Sequence, residues 1–313
     1  MRYLKDIRDG EQIIGHYLCK QKQNLKSRNG KPYISLKLQD KTGFVDGKIW
    51  DINCDIDEFE ENSFVKIDGV VSVYQGEYQI NIRRLRLSME GEYDPMDYIP
   101  CTDQDIEGML EKLKIYIDKV ENIYLKKLLQ SFFLSDAEFL NKFIHHSAAK
   151  SVHHSYMGGL LEHTLTVVSI AEFLASKYKQ VNKDLVIAGA MLHDVGKIKE
   201  LSDFPSNDYT DSGQLLGHIV MGAEMVGEKI KKISDFPESL ELLIKHCILA
   251  HHGEFEFGSP KRPKIIEAMI IHCADNSDAK IKLFEESIQA DSFQGEWVGY
   301  NRMLGRNIRK SDF

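Results

Sequence analysis

The chain has few cysteines and no long apolar run, and both shortages restrict its class. Its 313 residues contain five cysteines, none in a Cys-x-x-Cys pair, which argues against a disulfide framework and against a cysteine-based zinc site. No apolar stretch approaches the roughly 20 residues that a membrane-spanning helix needs. The opening MRYLKDIRDGEQ also lacks the apolar core of a signal peptide. We therefore expect a cytoplasmic protein with reduced thiols and no membrane partner.

An excess of positive charge is also missing. The formal net charge is −8, and residues 1–90 carry 15 Lys and Arg against 14 Asp and Glu. A basic run from Lys20 to Lys37 is followed by an acidic run from Asp51 to Glu61. The basic run is compatible with contacts to nucleic acid, and a solvated surface explains either run equally well.

Short stretches with a period of two residues occupy the first 90 residues, and turn-forming combinations such as SRNGKP, DKTG and YQGE separate them. The five predicted strands are QIIGHYLCKQ, PYISLKLQD, FVDGKIW, SFVKIDGVVSVYQ and EYQINIRRLRLSM. A short helix is predicted over residues 51–62. Five strands with one helix after the third favour an oligonucleotide-binding (OB) β-barrel over residues 1–90.

The remainder of the chain has helical periodicity. Residues 91–102 contain Gly and two prolines without a clear period, so we interpret them as a linker. Apolar residues at steps of three and four then predict an all-α helical bundle over residues 103–290. The fold class is therefore multidomain α and β, a five-stranded OB-fold barrel followed by a helical bundle. Residues 291–313 form a basic C-terminal tail, in which we expect Trp297 and Tyr300 to pack on the bundle.

Histidines and acids recur inside the apolar helical stretches. A single histidine on an apolar face is more often a core residue than a ligand, but an ordered set is harder to explain in that way. A buried carboxylate is costly without a cation or donors nearby. Imidazole and carboxylate together suit Mn, Fe, Ni, Co or Zn better than Ca. The candidate metal ligands are His163, His193, Asp194, His218, His251, His252 and Asp275.

The ordered set His163, His193-Asp194 and Asp275, with the sequence HDVGK, resembles the HD superfamily of metal-dependent phosphohydrolases. The additional His218 and the pair His251-His252 resemble the subset that holds two metals. The resemblance implies an HD domain over residues 103–290. It assigns His163, His193, Asp194 and Asp275 to one ion, and Asp194, His218, His251 and His252 to the other.

Two ions about 3.5–4 Å apart activate water and stabilise in-line displacement at phosphorus. We therefore expect catalytic roles for Asp194, which would bridge the ions, and for Lys197, which would contact a phosphate oxygen. His153, His154 and Lys280 are further candidates for phosphate contacts, and each has a structural role as its alternative. HD-GYP phosphodiesterases would have Tyr in a Gly-Tyr-Pro segment where this chain has Ser259, which argues against that group.

The predicted barrel suggests the substrate. OB barrels bind single strands by stacking bases on aromatic side chains while basic side chains follow the backbone. Aromatic residues in strands are more often core residues, and only alternate positions can face outward. The candidate nucleic-acid contacts are Lys20, Lys22, Lys31, Tyr33, Lys37, Trp50, Tyr74, Tyr78 and Arg84.

The barrel followed by GGLLEHTLTV, HDVGK, HHGEFEFGSP and HCADNSDAK closely resembles the YhaM family of bacterial 3′-to-5′ exoribonucleases. The resemblance implies hydrolysis of single-stranded RNA, with single-stranded DNA as a second substrate. It also implies two divalent ions per chain, with Mn²⁺ favoured and Fe²⁺, Co²⁺ or Mg²⁺ as alternatives. The alternative functions are a nucleotide or cyclic-nucleotide phosphohydrolase and a non-catalytic nucleic-acid-binding factor. Assembly of the chain into a homo-oligomer is a further open alternative.

Overall fold

Two compact units make up the chain, Met1–Cys101 and Thr102–Phe313. The computed structural model describes residues 2–27, 29–51, 56–74, 76–150, 154–289 and 295–311. Each unit has its own hydrophobic core.

The first unit is a closed five-stranded barrel with the strand order β1-β2-β3-β5-β4. Its strands are β1 (Gln12–Lys26), β2 (Pro32–Asp40), β3 (Gly43–Ile49), β4 (Ser63–Tyr74) and β5 (Glu77–Leu87). The pairs are antiparallel except β3 with β5, which is parallel. The predicted five-stranded barrel is therefore confirmed.

The long strand β1 closes the barrel because it pairs on both sides. Its first half, from Gln12 to Cys19, pairs with β4, and its second half, to Lys26, pairs with β2. A β-bulge between Cys19 and Gln21 separates the two halves. Bulges bend a strand and increase its twist, which is what closure of a small barrel needs.

Two glycines inside strands allow close packing of the barrel. A Cβ atom on Gly69 would lie 2.7 Å from the backbone oxygen of Asn81, at a bulge in β4. A Cβ atom on Gly47 would lie 2.9 Å from the terminal Cδ1 of Ile82. The neighbour of Gly69 is therefore backbone, which cannot move aside, whereas the neighbour of Gly47 is the end of a side chain.

The segment before β4 and the segment after β5 differ from their predicted structures. Of the helix predicted over residues 51–62, residues 52–55 lie outside the described part. Residues 56–62 contain no helix: Ile56 bridges to Leu85 and Phe59 is buried. That prediction was wrong there, because pairing with β5 and burial of Phe59 replace the local helical preference.

Within residues 91–102, predicted as a linker, the stretch from 93 to 99 packs against the barrel. Tyr98 and Ile99 are 3% and 4% exposed, and the side chain of Gln39 donates to the backbone oxygen of Tyr98 at 2.9 Å. Tyr93 stacks on Phe64 with 4.2 Å between the ring centroids. Aromatic packing thus orders a segment whose composition resembles that of a loop.

The second unit is helical. Its helices are α1 (Ile106–Lys119), α2 (Ile123–Phe133), α3 (Ala137–His145), α4 (Gly159–Ala175), α5 (Lys183–Leu192), α6 (Lys197–Glu200), α7 (Asp211–Ile230), α8 (Glu238–Ala250) and α9 (Ile266–Gln289). Side chains of Asp105, Asn122 and Asn182 accept hydrogen bonds from the first turns of α1, α2 and α5, which is the usual way to satisfy those free backbone N–H groups. The predicted helical bundle is confirmed. No helix in the described residues is long and apolar enough to cross a membrane.

Helix α5 lies at the centre of this unit. Every residue from Leu185 to Leu192 is buried, and α5 packs against α4, α8 and α9. A helix that is apolar all round is stable only when it is covered on all sides. Its C-terminus delivers the sequence HDVGK into the interior.

A β-hairpin follows α9, where the sequence predicted only a basic tail. Its strands are β6 (Trp297–Asn301) and β7 (Arg306–Arg309), and both pack against α9. Ile308 is buried, but Trp297 and Tyr300 are 59% and 65% exposed. The prediction that these two aromatic side chains pack on the bundle was wrong, because Ile308 is the residue that the hairpin buries.

We expect Gly69→Ala to destabilise the barrel by about 1–3 kcal/mol, the usual cost of overpacking, and Gly47→Ala to cost less. The chain has two tryptophans, so a Trp297→Phe background leaves Trp50 as the only fluorescent tryptophan, and it reports on the barrel. Urea unfolding followed by Trp50 fluorescence measures both variants. Equal stability of the Gly69→Ala variant and the parent would contradict the steric explanation.

Candidate functional site

Five histidines and two aspartates, all of them predicted ligands, meet in the interior of the helical unit. His163 lies within α4, His193 and Asp194 follow α5, His218 lies within α7, His251 and His252 follow α8, and Asp275 lies within α9. His193 and His251 are fully buried, and Asp194 is 2% exposed. The residues therefore come from five helices or helix ends and converge on one centre.

Every imidazole in this centre is fixed by the same kind of hydrogen bond. The Nδ1 atom of each ring lies 2.6–2.9 Å from an oxygen. The partners are Asp278 Oδ2 for His163, Ala190 O for His193, Glu200 Oε1 for His218, Ile248 O for His251 and Phe257 O for His252. Carbonyl and carboxylate oxygens can only accept, so in the neutral form of each ring Nδ1 carries the proton and Nε2 keeps a free lone pair. Metal-ligating histidines have this arrangement.

The two oxygens of Asp194 face different histidines. Its Oδ2 lies 3.3 Å from the Nε2 atoms of both His163 and His193. Its Oδ1 lies 3.4 Å from His218 Nε2 and 3.6 Å from His251 Nε2. Asp275 Oδ1 completes the first group, 3.3 Å from His163 Nε2. The carboxylate of Asp194 thus lies between two groups of nitrogen ligands.

Three polar atoms in this centre are buried without a hydrogen-bond partner: Asp194 Oδ1, His218 Nε2 and His251 Nε2. Burying such atoms without partners costs free energy, and a carboxylate oxygen and two unprotonated nitrogens cannot bond to one another. A cation satisfies all three. Among the described residues, three sets have ligand atoms within 4.8 Å of one another, and two of them consist of predicted ligands alone: His163-His193-Asp275 and His218-His251-His252; the third is His154-His163-Asp278. The residues present therefore fit divalent metal ions.

Burial and neighbouring charges set the protonation of these groups. Burial lowers the pKa of His251, as do His252 and His193 beside it. Burial raises the pKa of Asp194, but the charge of Lys197 beside it outweighs this effect and holds that pKa well below the usual range. A neutral imidazole, as at His251, and an ionised carboxylate, as at Asp194, are the forms that ligate metals.

Lys197, predicted to contact phosphate, begins α6 one turn after His193. Its Nζ lies 2.6 Å from Asp194 Oδ2, and 12% of its side chain is exposed. Burial lowers the pKa of Lys197, but the charge of Asp194 raises it by more than burial lowers it, so the pKa lies above its usual value. The side chain is therefore a cation at the wall of the site.

Two glycines bring α7 next to the HDVGK segment. A Cβ atom on Gly196 would lie 2.0 Å from the backbone oxygen of His218, so only glycine permits this contact. Gly217 has φ 76° and ψ 158° and interrupts α7 immediately before His218, a conformation that favours glycine. Behind this break, Glu200 Oε1 accepts from both the backbone N–H and Nδ1 of His218, each at 2.9 Å.

Sequence reasoning missed Glu200 and Asp278, which orient ligands. Asp278 is buried and accepts from His163 at 2.6 Å and from His154 at 3.0 Å. Its position three residues after Asp275 places both on one helix face, and this spacing was the available signal. Glu200 had no comparable signal, because its contact with His218 depends on the break in α7.

The proposed phosphate contacts lie in different environments. His154 is 1% exposed and its Nδ1 lies 2.9 Å from the Tyr156 hydroxyl, so it is built into the interior behind His163. Lys280 is exposed and lines a cavity of about 440 Å³ that also contains His163, Asp194 and Lys197. His153 lies outside the described residues.

All four predicted aromatic contacts of the barrel line one groove of about 660 Å³. Its side chains include Tyr33, Lys37, Phe44, Trp50, Tyr74 and Tyr78. Tyr33 stacks on Trp50 with 4.8 Å between centroids, and Lys37 lies 4.7 Å above the ring of Phe44. Trp50 is 52% exposed. An exposed aromatic surface beside lysines suits unpaired bases.

Four predicted basic contacts lie outside this groove. Lys20 donates to Asn62 Oδ1 at 2.9 Å and Lys22 to the backbone oxygen of Phe59 at 2.7 Å. Lys31 is exposed in the turn between β1 and β2. Arg84 lines a separate groove with Lys66 and Arg86. The basic run from Lys20 to Lys37 is therefore not one surface.

Comparison with known proteins agrees with both units. The family model of the HD domain matches residues 160–280, and that of the OB-fold nucleic acid binding domain matches residues 19–87. HD domains are metal-dependent, in agreement with the clusters of histidine and aspartate. The second OB-fold domain of replication protein A from Methanococcus maripaludis is 15% identical, covering 30% of this chain and 98% of that chain with a TM-score of 0.24.

A relative that covers both units is the 3′-5′ exoribonuclease YhaM of Geobacillus sp.. It is 36% identical over 284 residues, which are 90% of this chain and 86% of that protein. Similarity of this extent includes the barrel as well as the helical unit. The chain belongs to the YhaM family of 3′-5′ exoribonucleases.

Proposed function

We propose that the protein is a metal-dependent 3′-to-5′ exoribonuclease that hydrolyses single-stranded RNA to mononucleotides, and that also accepts single-stranded DNA. The observation that carries the proposal is the cluster of five imidazoles, four of which have Nε2 atoms 3.3–3.6 Å from Asp194, together with the three buried polar atoms of this centre that have no hydrogen-bond partner. The name of the Geobacillus relative supports the polarity and the choice of RNA.

In this proposal the ligands form two groups that share Asp194. His163, His193 and Asp275 would hold one ion together with Asp194, and His218, His251 and His252 would hold the other, also with Asp194. Two bound divalent ions, with Mn²⁺ favoured over Fe²⁺, Co²⁺ and Mg²⁺, would supply an activated water and Lewis-acid stabilisation of charge at phosphorus.

The side chains of the protein have three further tasks. Glu200 and Asp278 keep His218 and His163 in the tautomer that leaves Nε2 free. Lys197 donates to a non-bridging oxygen of the scissile phosphate when substrate enters, and Lys280 at the cavity wall contacts phosphate in the same way. Asp194 orients the nucleophilic water through its position between the two groups of nitrogens.

The barrel binds the strand. Exposed Trp50, Tyr74 and Tyr78 stack on bases, while Lys37 neutralises the backbone. Because stacking on an aromatic face is tolerant of sequence, the protein acts on single strands without a strong sequence preference. Residues 1–90 are thus the binding domain and residues 103–290 the hydrolase domain, with 91–102 between them.

We expect single-stranded RNA labelled at its 3′ end to release labelled mononucleotide from the first turnover in Mn²⁺, and RNA labelled at its 5′ end to shorten stepwise. A chelator stops both reactions, because the ligands of the centre hold the ions that the reaction needs. Gel analysis of the two labelled RNAs measures polarity and metal dependence together. Early release of the 5′ label would contradict the polarity.

The Asp194→Asn variant keeps the shape of the side chain but removes the shared charge. We expect its RNA hydrolysis to fall by more than the roughly 10- to 100-fold loss that follows from changing a partner of a metal ligand. A chelator should lower the Tm of the parent, because bound ions stabilise the folded state, and leave the Tm of the variant unchanged. Asp118→Asn, at a carboxylate whose side chain is 79% exposed, is the matched control. Full activity of Asp194→Asn would contradict the proposed centre.

Trp50→Ala should weaken binding of single-stranded RNA about 5- to 150-fold, because stacking contributes about 1–3 kcal/mol per base. Fluorescence anisotropy in the Asp194→Asn background measures binding without degradation. Phe173→Ala removes an equally exposed ring, 60% exposed, from the helical unit and should leave the affinity unchanged. Similar losses in both variants would argue against the groove as the binding surface.

A further inference from the structure

The turn of the C-terminal hairpin lies at the wall of the cavity that contains the metal centre. Met303 and Leu304, at the tip between β6 and β7, line the same cavity of about 440 Å³ as His163, Asp194 and Asp275. Hydrolysis of a phosphodiester requires none of the chemistry of these two side chains. Their position therefore needs a different explanation.

The turn is attached to the helical unit by specific contacts. The side chain of Asn301 donates to Ser287 Oγ in α9 at 2.9 Å and accepts from the backbone N–H of Leu304 at 2.9 Å. Arg306 Nε donates to the backbone oxygen of Leu304 at 3.0 Å. Ile308 is 1% exposed and anchors the hairpin by burial. These contacts hold the tip beside the cavity.

The cavity has a polar part and an apolar part. Its polar wall is the metal centre with Lys197, His252 and Lys280, and its apolar wall comprises Phe257, Ala279, Leu283, Met303 and Leu304. Asp275, Ala279 and Leu283 follow at steps of four on α9, so they share one face of the helix. At about 1.5 Å per residue, the wall extends about 12 Å from the carboxylate to Leu283. A nucleotide likewise has a charged group, the phosphate, at one end and a flat, less polar base at the other.

Exposure of the apolar side chains supports a bound partner. Met303 is 61% exposed and Phe257 is 60% exposed, and exposed apolar side chains grouped beside polar groups mark ligand sites. The thioether of methionine is flexible and polarisable and makes favourable contacts with aromatic rings. Such a surface covers any of the four bases, as an enzyme without sequence preference requires.

We propose that the turn of the C-terminal hairpin is part of the substrate site, where Met303 and Leu304, with Phe257, cover the base of the 3′-terminal nucleotide while its phosphate lies at the metal centre. The inference rests on the proposed exoribonuclease function and assigns to the hairpin a role in positioning the end of the strand. Contacts to the terminal base align the scissile phosphate, so they contribute to kcat/KM.

The test compares two RNA oligonucleotides, one with a normal 3′-terminal nucleotide and one whose terminal nucleotide is abasic. For the parent protein in Mn²⁺, kcat/KM for the first cleavage should be about tenfold lower with the abasic end, a ratio typical for loss of an apolar contact in a pocket. Met303→Ala should cleave the abasic oligonucleotide at the rate of the parent and the normal one more slowly than the parent, so that the tenfold ratio falls. Leu304→Ala should behave in the same way.

Tyr300→Ala is the matched control, since its side chain lies in the same hairpin, is 65% exposed and does not line the cavity. It should keep the tenfold preference. A parent that cleaves both oligonucleotides equally overturns the inference and leaves the exoribonuclease function standing. A Met303→Ala variant that keeps the preference, or that also loses cleavage of the abasic oligonucleotide, overturns it as well. A parent that cleaves neither overturns the proposed function itself, and the inference with it.

Discussion

The helical unit depends on one buried carboxylate. Asp194 is 2% exposed, and only Oδ2 has a cationic partner, the ammonium of Lys197 at 2.6 Å. Its Oδ1 faces the Nε2 atoms of His218 and His251, and none of these three atoms has a hydrogen-bond partner, because each ring already donates from Nδ1 to another oxygen. A buried charge in this position is costly unless further positive charge is supplied. The apolar helix α5, the close contact at Gly196 and the break at Gly217 together impose that position on it.

The sequence predicted regular elements well where one local pattern decides them. Alternation identified all five barrel strands, and helical periodicity identified the bundle. The failures fall where a distant partner overrides the local pattern. In residues 56–62, Ile56 bridges to Leu85 of β5 and Phe59 is buried, and no helix forms. The hairpin after α9 was missed because its short strands are stabilised by one buried residue, Ile308, and by a side chain of α9.

In the site, too, features set by local sequence were predicted, and features set by distant partners were not. The ligands could be predicted from the sequence, because imidazole and carboxylate groups inside apolar helices are rarely tolerated without a reason. The seven candidates do lie together. Their hydrogen-bond partners could not be predicted. Glu200 and Asp278 act through geometry that only the folded chain defines, and His154, predicted to contact phosphate, is buried against Asp278. In the barrel, Tyr33 of β2, Tyr78 of β5 and Trp50 just after β3 line one groove, whereas Lys20 and Lys22 make other contacts.

His193 and His251 occupy the C-terminal caps of α5 and α8, and each Nδ1 donates to a carbonyl three residues earlier in its own helix. These carbonyls belong to the last turn, where few backbone donors remain, and that of Ile248 also accepts from the backbone N–H of His251. The same ring therefore terminates a helix through one nitrogen and faces the centre through the other. Release of an ion and fraying of these helix ends are consequently coupled events, so the amide-exchange rates of α5 and α8 at their C-termini depend on the free metal concentration.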